Sequence, residues 1–245
     1  MPFTYLVITL TFLLAGFVKG VIGMGLPTVA VGLLGLIMTP AEAAALLLIP
    51  SLVTNLWQLA LGPRLGPILR RLWSMMIGIC IGTLAGGWVL GASLGRSADG
   101  WLGAALFLYA LLGLSVLRLN VPARLEPLLS PVIGAATGLV TGVTGVFVLP
   151  AVPYIQALSF DRDELIQALG LSFTVSTVAL AGNLLHLGGL DGPVLVTSLL
   201  ALLPALGGMA IGQWARGKIT AATFRRCFFI GLIVLGTDLV IQSLR

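Results

Sequence analysis

Charge is what this sequence has least of. Its 245 residues include 13 Lys/Arg and 8 Asp/Glu, so charged residues make up 9% of the chain, against about 25% in an ordinary soluble domain. With 58% of its residues hydrophobic, a soluble fold of this length would leave large apolar patches facing water. Histidine occurs once, as His186, and cysteine twice, as Cys80 and Cys227. There is no CxxC and no His/Cys spacing that would hold a metal. No nucleophile–base constellation and no phosphate-cradling P-loop is present. An enzyme and an ATP-driven pump are therefore not expected, and no cofactor is expected. The net charge is +5, but the basic residues lie in short loops between apolar blocks and form no stripe with interleaved aromatics. Topology explains them, and nucleic acid is excluded as a partner. The first twenty residues also lack a charged leader and run straight into a Gly-rich stretch, as a retained first segment would rather than a cleaved signal peptide.

What the chain has instead is apolar blocks. Long ones cover about 3–23, 41–61, 71–93, 98–117, 129–147, 163–186, 193–216 and 220–243, each near the ~20 residues a helix needs to cross ~30 Å of hydrocarbon. Two shorter blocks, about 27–38 and 149–160, follow the first and the fifth. Twelve helical residues reach only ~18 Å, which suits a re-entrant or broken helix, though a short extra crossing is the alternative. The expected fold class is an all-α polytopic membrane protein.

The one real linker, around Asn120–Arg124, falls near the middle and divides the chain into two similar halves. Gly16-Phe-Val-Lys-Gly-Val-Ile-Gly23 aligns with Gly138-Leu-Val-Thr-Gly-Val-Thr-Gly145, five of the eight positions being identical. The same register carries Glu42 onto Glu164 and Thr54-Asn55 onto Ser176-Thr177. Farther on, Gly82, Gly86, Trp88 and Gly91 match Gly208, Gly212, Trp214 and Gly217. The expected organisation is a first repeat over 1–119, a cytoplasmic linker over 120–128 and a second repeat over 129–245, each repeat having about four long transmembrane helices plus one short re-entrant or broken helix.

Loop charges orient the two repeats. Placing Arg64, Arg70 and Arg71 in the cytoplasm also places there Arg118, Arg124, Arg162, Arg216, Lys218, Arg225 and Arg226, ten of the thirteen Lys/Arg. Arg96 and Arg245 fall outside, and Lys19 lies within a segment. The loop His186–Pro193, free of Lys and Arg, then faces out, opposite to its first-half counterpart. Equivalent loops on opposite sides describe inverted repeats with both termini outside, a pattern of secondary transporters whose sites lie at discontinuous helices near the midplane. A parallel duplication with coincidental charges is the alternative.

Three features are candidates for a site. The first is the pair of Gly-rich breaks, Gly16-x3-Gly20-x2-Gly23-x-Gly25 before Pro27 and Gly138-x3-Gly142-x2-Gly145 before Pro150 and Pro153. Glycines of this kind bring helices close. Breaks at membrane depth also free backbone N–H groups and helix N-termini that attract anions. The second is Lys19, an intramembrane cation and so a site candidate, unless it snorkels to an interface. The third is the stripe Ser51, Thr54, Asn55 and Gln58 at i, i+3, i+4 and i+7, echoed by Ser176 and Thr177. Interhelical hydrogen bonding would account for single members; a stripe at one register in both halves fits a polar lining. Glu42 and Glu164 open matching helices, where a carboxylate favours the N-terminus. The substrate-binding set is thus Lys19, Gly20, Gly23, Thr54, Asn55, Gln58, Thr141, Gly142, Thr144, Gly145, Ser176 and Thr177.

The segments GFVKGVIGMGLPTV, GLVTGVTGVFVLP, PAEAAALLLIPSLVTNLWQ and RLWSMMIGICIGTLAGGWVLG resemble those of the sulfite exporter TauE/SafE family, also called the toluene sulfonate uptake permease family. The resemblance covers essentially the whole chain. It implies a multi-pass protein of the bacterial inner (plasma) membrane that moves sulfite, thiosulfate, an organosulfonate or another small sulfur-containing anion. The second motif departs from the first, with Thr141 for Lys19 and Phe147 for Gly25, so the halves need not contribute equally. The expected partners are a small anionic substrate and membrane lipid. Coupling to protons or another ion, and the choice of monomer or homodimer, stay open. The expected activity is secondary transport by alternating access, one half rocking against the other; an anion-selective channel and a non-transporting membrane scaffold are the rivals.

Overall fold

The computed structural model describes residues 2–91, 97–115, 120–218 and 220–244. Arg96, Arg118 and Arg245, used above for orientation, lie outside the described residues. The described residues form ten α-helices and no strand: α1 (Pro2–Ile22), α2 (Leu26–Leu34), α3 (Pro40–Ala60), α4 (Leu65–Ala85, continuing as a π-helical turn over Gly86–Gly91), α5 (Ser97–Leu114), α6 (Glu126–Thr144), α7 (Ala151–Gln156), α8 (Arg162–His186), α9 (Gly192–Ala215) and α10 (Ala221–Ser243). Every apolar block becomes a helix. Helical structure resumes at Glu126, within the span expected as linker.

Among the described residues, six helices are long and apolar enough to cross a membrane: α1, α3, α4, α6, α8 and α9. The expected number of long spans was eight. Among the described residues α5 is apolar over Ala98–Leu114, and α10 carries Arg225, Arg226 and Asp238 among its apolar residues. The two pack on each other in opposite directions, Gly103 against Gly236 and the Gly113 carbonyl accepting from Arg225.

Local chemistry sets where helices start and break. Thr39 and Glu42 form a reciprocal cap on α3: the Glu42 carboxylate accepts from the Thr39 N–H at 2.8 Å, and the Glu42 N–H donates to the Thr39 hydroxyl at 3.3 Å. At the matching position of α8, the Asp161 N–H donates to Glu164 at 3.3 Å. Both glutamates therefore act as N-terminal caps. Gly23 and Gly25, at φ of 78° and 103°, end α1 and turn the chain into α2, a conformation that costs a Cβ-bearing residue. Gly145, at φ of 72°, ends α6.

The short helices sit inside the bundle. All of α2 except Leu33 is buried, as are Val146–Leu149 and most of α7. This follows from backbone solvation, because non-helical backbone at membrane depth is tolerated only where protein or a polar cavity surrounds it. At nine and six residues, α2 and α7 span about 13 Å and 9 Å, too short to cross.

The sequence halves interlock. α1 lies along α9 in the same direction, Gly16 and Gly20 against the backbone of Ala205 and Met209, and Gly208 and Gly212 against Leu13 and Phe17. α4 lies along α6 in the same way, through Gly78, Gly82, Gly134 and Gly138. A methyl group at any of these glycines would collide with the facing backbone, so both helix pairs are in backbone-to-backbone contact. At the centre α3 and α8 run antiparallel: Gln58 Nε2 donates to the Ile166 carbonyl at 3.0 Å and Gln167 Nε2 to the Leu59 carbonyl at 2.9 Å, while Ser51 meets Thr177.

Candidate functional site

Lys19 lies in the last turn of α1, just before the glycine break, and is only 5% exposed. The neighbouring glycines bring the backbones of α1 and α9 into direct contact beside it. Its Nζ donates to Thr54 Oγ1 at 3.0 Å and to Asn55 Oδ1 on α3. An ammonium has donors only, so the Asn55 amide is oriented: its oxygen faces Lys19 and its Nδ2 donates to Ser51 Oγ at 2.9 Å and Thr177 Oγ1 at 3.4 Å. The Ser51 and Thr177 hydroxyls are 3.1 Å apart. A hydrogen-bonded chain thus runs from α1 through α3 to α8, all of it buried.

Lys19, Gly20, Gly23, Thr54 and Gln58 line one cavity of about 370 Å³. Its mouth is formed by the exposed residues Leu61, Pro63, Asp163 and Arg216. It therefore opens at the end carrying the Arg64–Arg71 and Arg216–Arg226 loops. The volume accommodates a small oxyanion with part of its hydration. With Lys19 buried and Asp163 and Arg216 exposed, Lys19 is the charged lining group a ligand would reach last.

Not every expected residue belongs to this cavity. Asn55 and Thr177 stand behind the lining as its support. The Ser176 hydroxyl is buried with no hydrogen-bond partner. Thr141, Gly142, Thr144 and Gly145 lie away from the cavity lining. The Thr141 hydroxyl donates to the Thr137 carbonyl and that of Thr144 to the Val140 carbonyl, both at 2.7 Å, which is how a lone hydroxyl in an apolar helix is ordinarily satisfied. A Cβ on Gly142 would strike α4 backbone at Thr83, and one on Gly145 would strike Ala44, so both glycines lie in close contact with neighbouring helices.

Sequence reasoning missed several lining residues. Met209 and Gln213 on α9, Trp57 on α3, and the pair Asp163 and Arg216 at the mouth join the cavity only through tertiary packing. Gln213 was the one with a local signal, an amide within an apolar span.

No group of three or more His, Cys, Asp or Glu is placed to hold a metal among the described residues. No curated protein and no solved structure matches the chain. The family described as Sulfite exporter TauE/SafE does match, over residues 8–239. With nearly the whole chain covered, and with helices built to cross a membrane, this protein belongs to the sulfite exporter TauE/SafE family, a family of membrane transporters and not of enzymes.

Proposed function

We propose that this chain is a secondary transporter that carries a small sulfur-containing anion, such as sulfite, thiosulfate or an organosulfonate, by alternating access. One observation carries the reading: Lys19 is a cation buried at the floor of a cavity and held by neutral oxygens; among the described residues it forms no ion pair, and the carboxylate that shares the cavity lining, Asp163, is exposed at the mouth. A buried charge without a counter-ion is costly, and a bound anion removes that cost. Gly23, where an added Cβ would meet nothing within 4 Å, leaves the wall of α1 open for a ligand to approach the ammonium. Thr54 and Gln58 add neutral hydrogen-bonding groups.

The organisation behind this reading is two inverted halves, 1–119 and 129–245, joined by 120–128, with both termini outside the inner membrane. Its support is that matched helices exchange partners: α1 packs on α9 as α6 packs on α4, and the matched pair α3 and α8 cross antiparallel near Thr54 and Ser176. In that frame Thr141, Gly142, Thr144, Gly145, Ser176 and Thr177 form the second half's share of the path.

The deciding experiment is direct binding of sulfite, thiosulfate, methanesulfonate and acetate to purified wild-type protein and Lys19→Ala. The reading expects the sulfur oxyanions to bind and the variant to lose them while remaining folded. Unchanged binding by the variant overturns the role of Lys19. In proteoliposomes, saturable flux with counterflow supports a transporter, and conductance far above transporter turnover overturns it in favour of a channel.

A further inference from the structure

We propose that the Lys19 cavity selects singly charged anions, because one positive charge is all that its buried wall supplies. This rests on the anion reading above and narrows it to a charge state, ranking the monoanions of that class above its dianions, thiosulfate included.

Among the described residues, Lys19 is the one Lys, Arg, Asp or Glu that is buried. Two of its three N–H donors are committed to Thr54 Oγ1 and Asn55 Oδ1, leaving one for the cavity. The groups around it, Thr54, Asn55, Ser51 and Thr177, are neutral. The remaining charges that touch the cavity, Arg216 and Asp163, are exposed at its mouth and of opposite sign, where water and salt screen them. A monoanion at Lys19 leaves the buried site neutral. A dianion leaves one charge uncompensated away from water, the arrangement that buried ion pairs tolerate worst.

Gln58 supplies a second, independent observation. Its Nε2 is committed to the Ile166 carbonyl at 3.0 Å, which fixes the amide orientation, since two facing carbonyl oxygens would repel. Its Oε1 is then a buried acceptor with no donor, on a side chain that lines the cavity. An acceptor in that place disfavours a second negative charge and is satisfied by a ligand hydroxyl. The chemistry that fits both residues is an oxyanion retaining one proton, of the hydrogensulfite type, or a hydroxylated sulfonate.

The test uses probes whose charge is fixed at neutral pH. Methanesulfonate and sulfate share a tetrahedral oxyanion head but carry one and two charges. In calorimetric titration of the purified full-length protein, sulfate is expected to bind at least roughly tenfold more weakly than methanesulfonate. Gln213→Lys adds a second cation on a cavity-lining but exposed side chain and is expected to narrow that ratio in a protein that elutes as wild type. Hydroxymethanesulfonate is expected to bind several-fold more tightly than methanesulfonate, and Gln58→Leu to abolish that advantage. Sulfate binding as tightly as methanesulfonate overturns the charge inference while the anion reading stands. An intact hydroxyl advantage in Gln58→Leu overturns the part given to Gln58. Binding of neither anion to folded wild-type protein removes the anion reading and this inference together.

Discussion

Lys19 and Thr141 hold the same place in two glycine-rich segments that share five of eight residues, yet their side chains do opposite things. Lys19 reaches off its own helix to Thr54 and Asn55 on α3 and lines a cavity. Thr141 turns back onto the carbonyl one turn below, among residues that pack against α4. The glycines explain what the two segments have in common: each lets its helix lie backbone to backbone on a helix of the other half. The difference comes from one side chain. A hydroxyl satisfies itself within four residues, whereas an ammonium with three donors and a long stem must find partners elsewhere. The shared glycines supply a common frame, and one differing side chain makes the first segment the charged one.

The comparison breaks most sharply at those two positions. Lys19→Ala is expected to weaken anion binding roughly 100-fold, the scale of a lost charge-assisted hydrogen bond, whereas Thr141→Ala should change it by less than about threefold. Equal losses in paired titrations would mean that the halves share the site evenly. The packing role common to both segments predicts matched damage of a different kind. Gly16→Leu and Gly138→Leu should each destabilise the fold by about 3 kcal/mol or more through overpacking, read as a fall in thermal midpoint in detergent. Only one of the two falling would show that just one helix pair needs close contact.

A smaller effect is expected behind the lysine. Asn55→Ala removes one of its two acceptors and should weaken binding about tenfold, while Ser176→Ala, which loses no hydrogen bond, should be near neutral. The smallest effect concerns the caps: Glu42→Ala and Glu164→Ala should each lower stability by about 1 kcal/mol and leave anion affinity unchanged. A loss of transport with stability intact would instead assign a glutamate to coupling.

Much of the fold was legible because bilayer physics writes itself into local sequence. Block length gave ten helices, with α4 starting at Leu65, ahead of its block, and Gly23, Gly25 and Gly145 marked the breaks. The spacing of Ser51, Thr54, Asn55 and Gln58 correctly put them on one helix and buried them together. What spacing does not hold is which neighbour each one meets. Thr54 and Asn55 face α1, Ser51 faces α8, and Gln58 clasps a carbonyl on α8. Asp163 and Arg216 read as ordinary helix-end charges, and only the packing of α8 and α9 beside α3 brings them to one mouth. Among the described residues six of the eight long blocks are long and apolar enough to cross a membrane, while α5 is apolar over Ala98–Leu114 and α10 carries three charges.

The glycine contacts have a mechanical consequence. Helices in backbone-to-backbone register, α1 with α9 and α4 with α6, slide past each other only by lifting one main chain over another. Each such pair is therefore a stiff unit that takes one helix from either side of the linker. Any motion of one sequence segment as a block against the other would have to part these backbone contacts, since each pair joins helices from opposite sides of the linker. Cutting the chain within 120–128 should leave two fragments that fold only on each other.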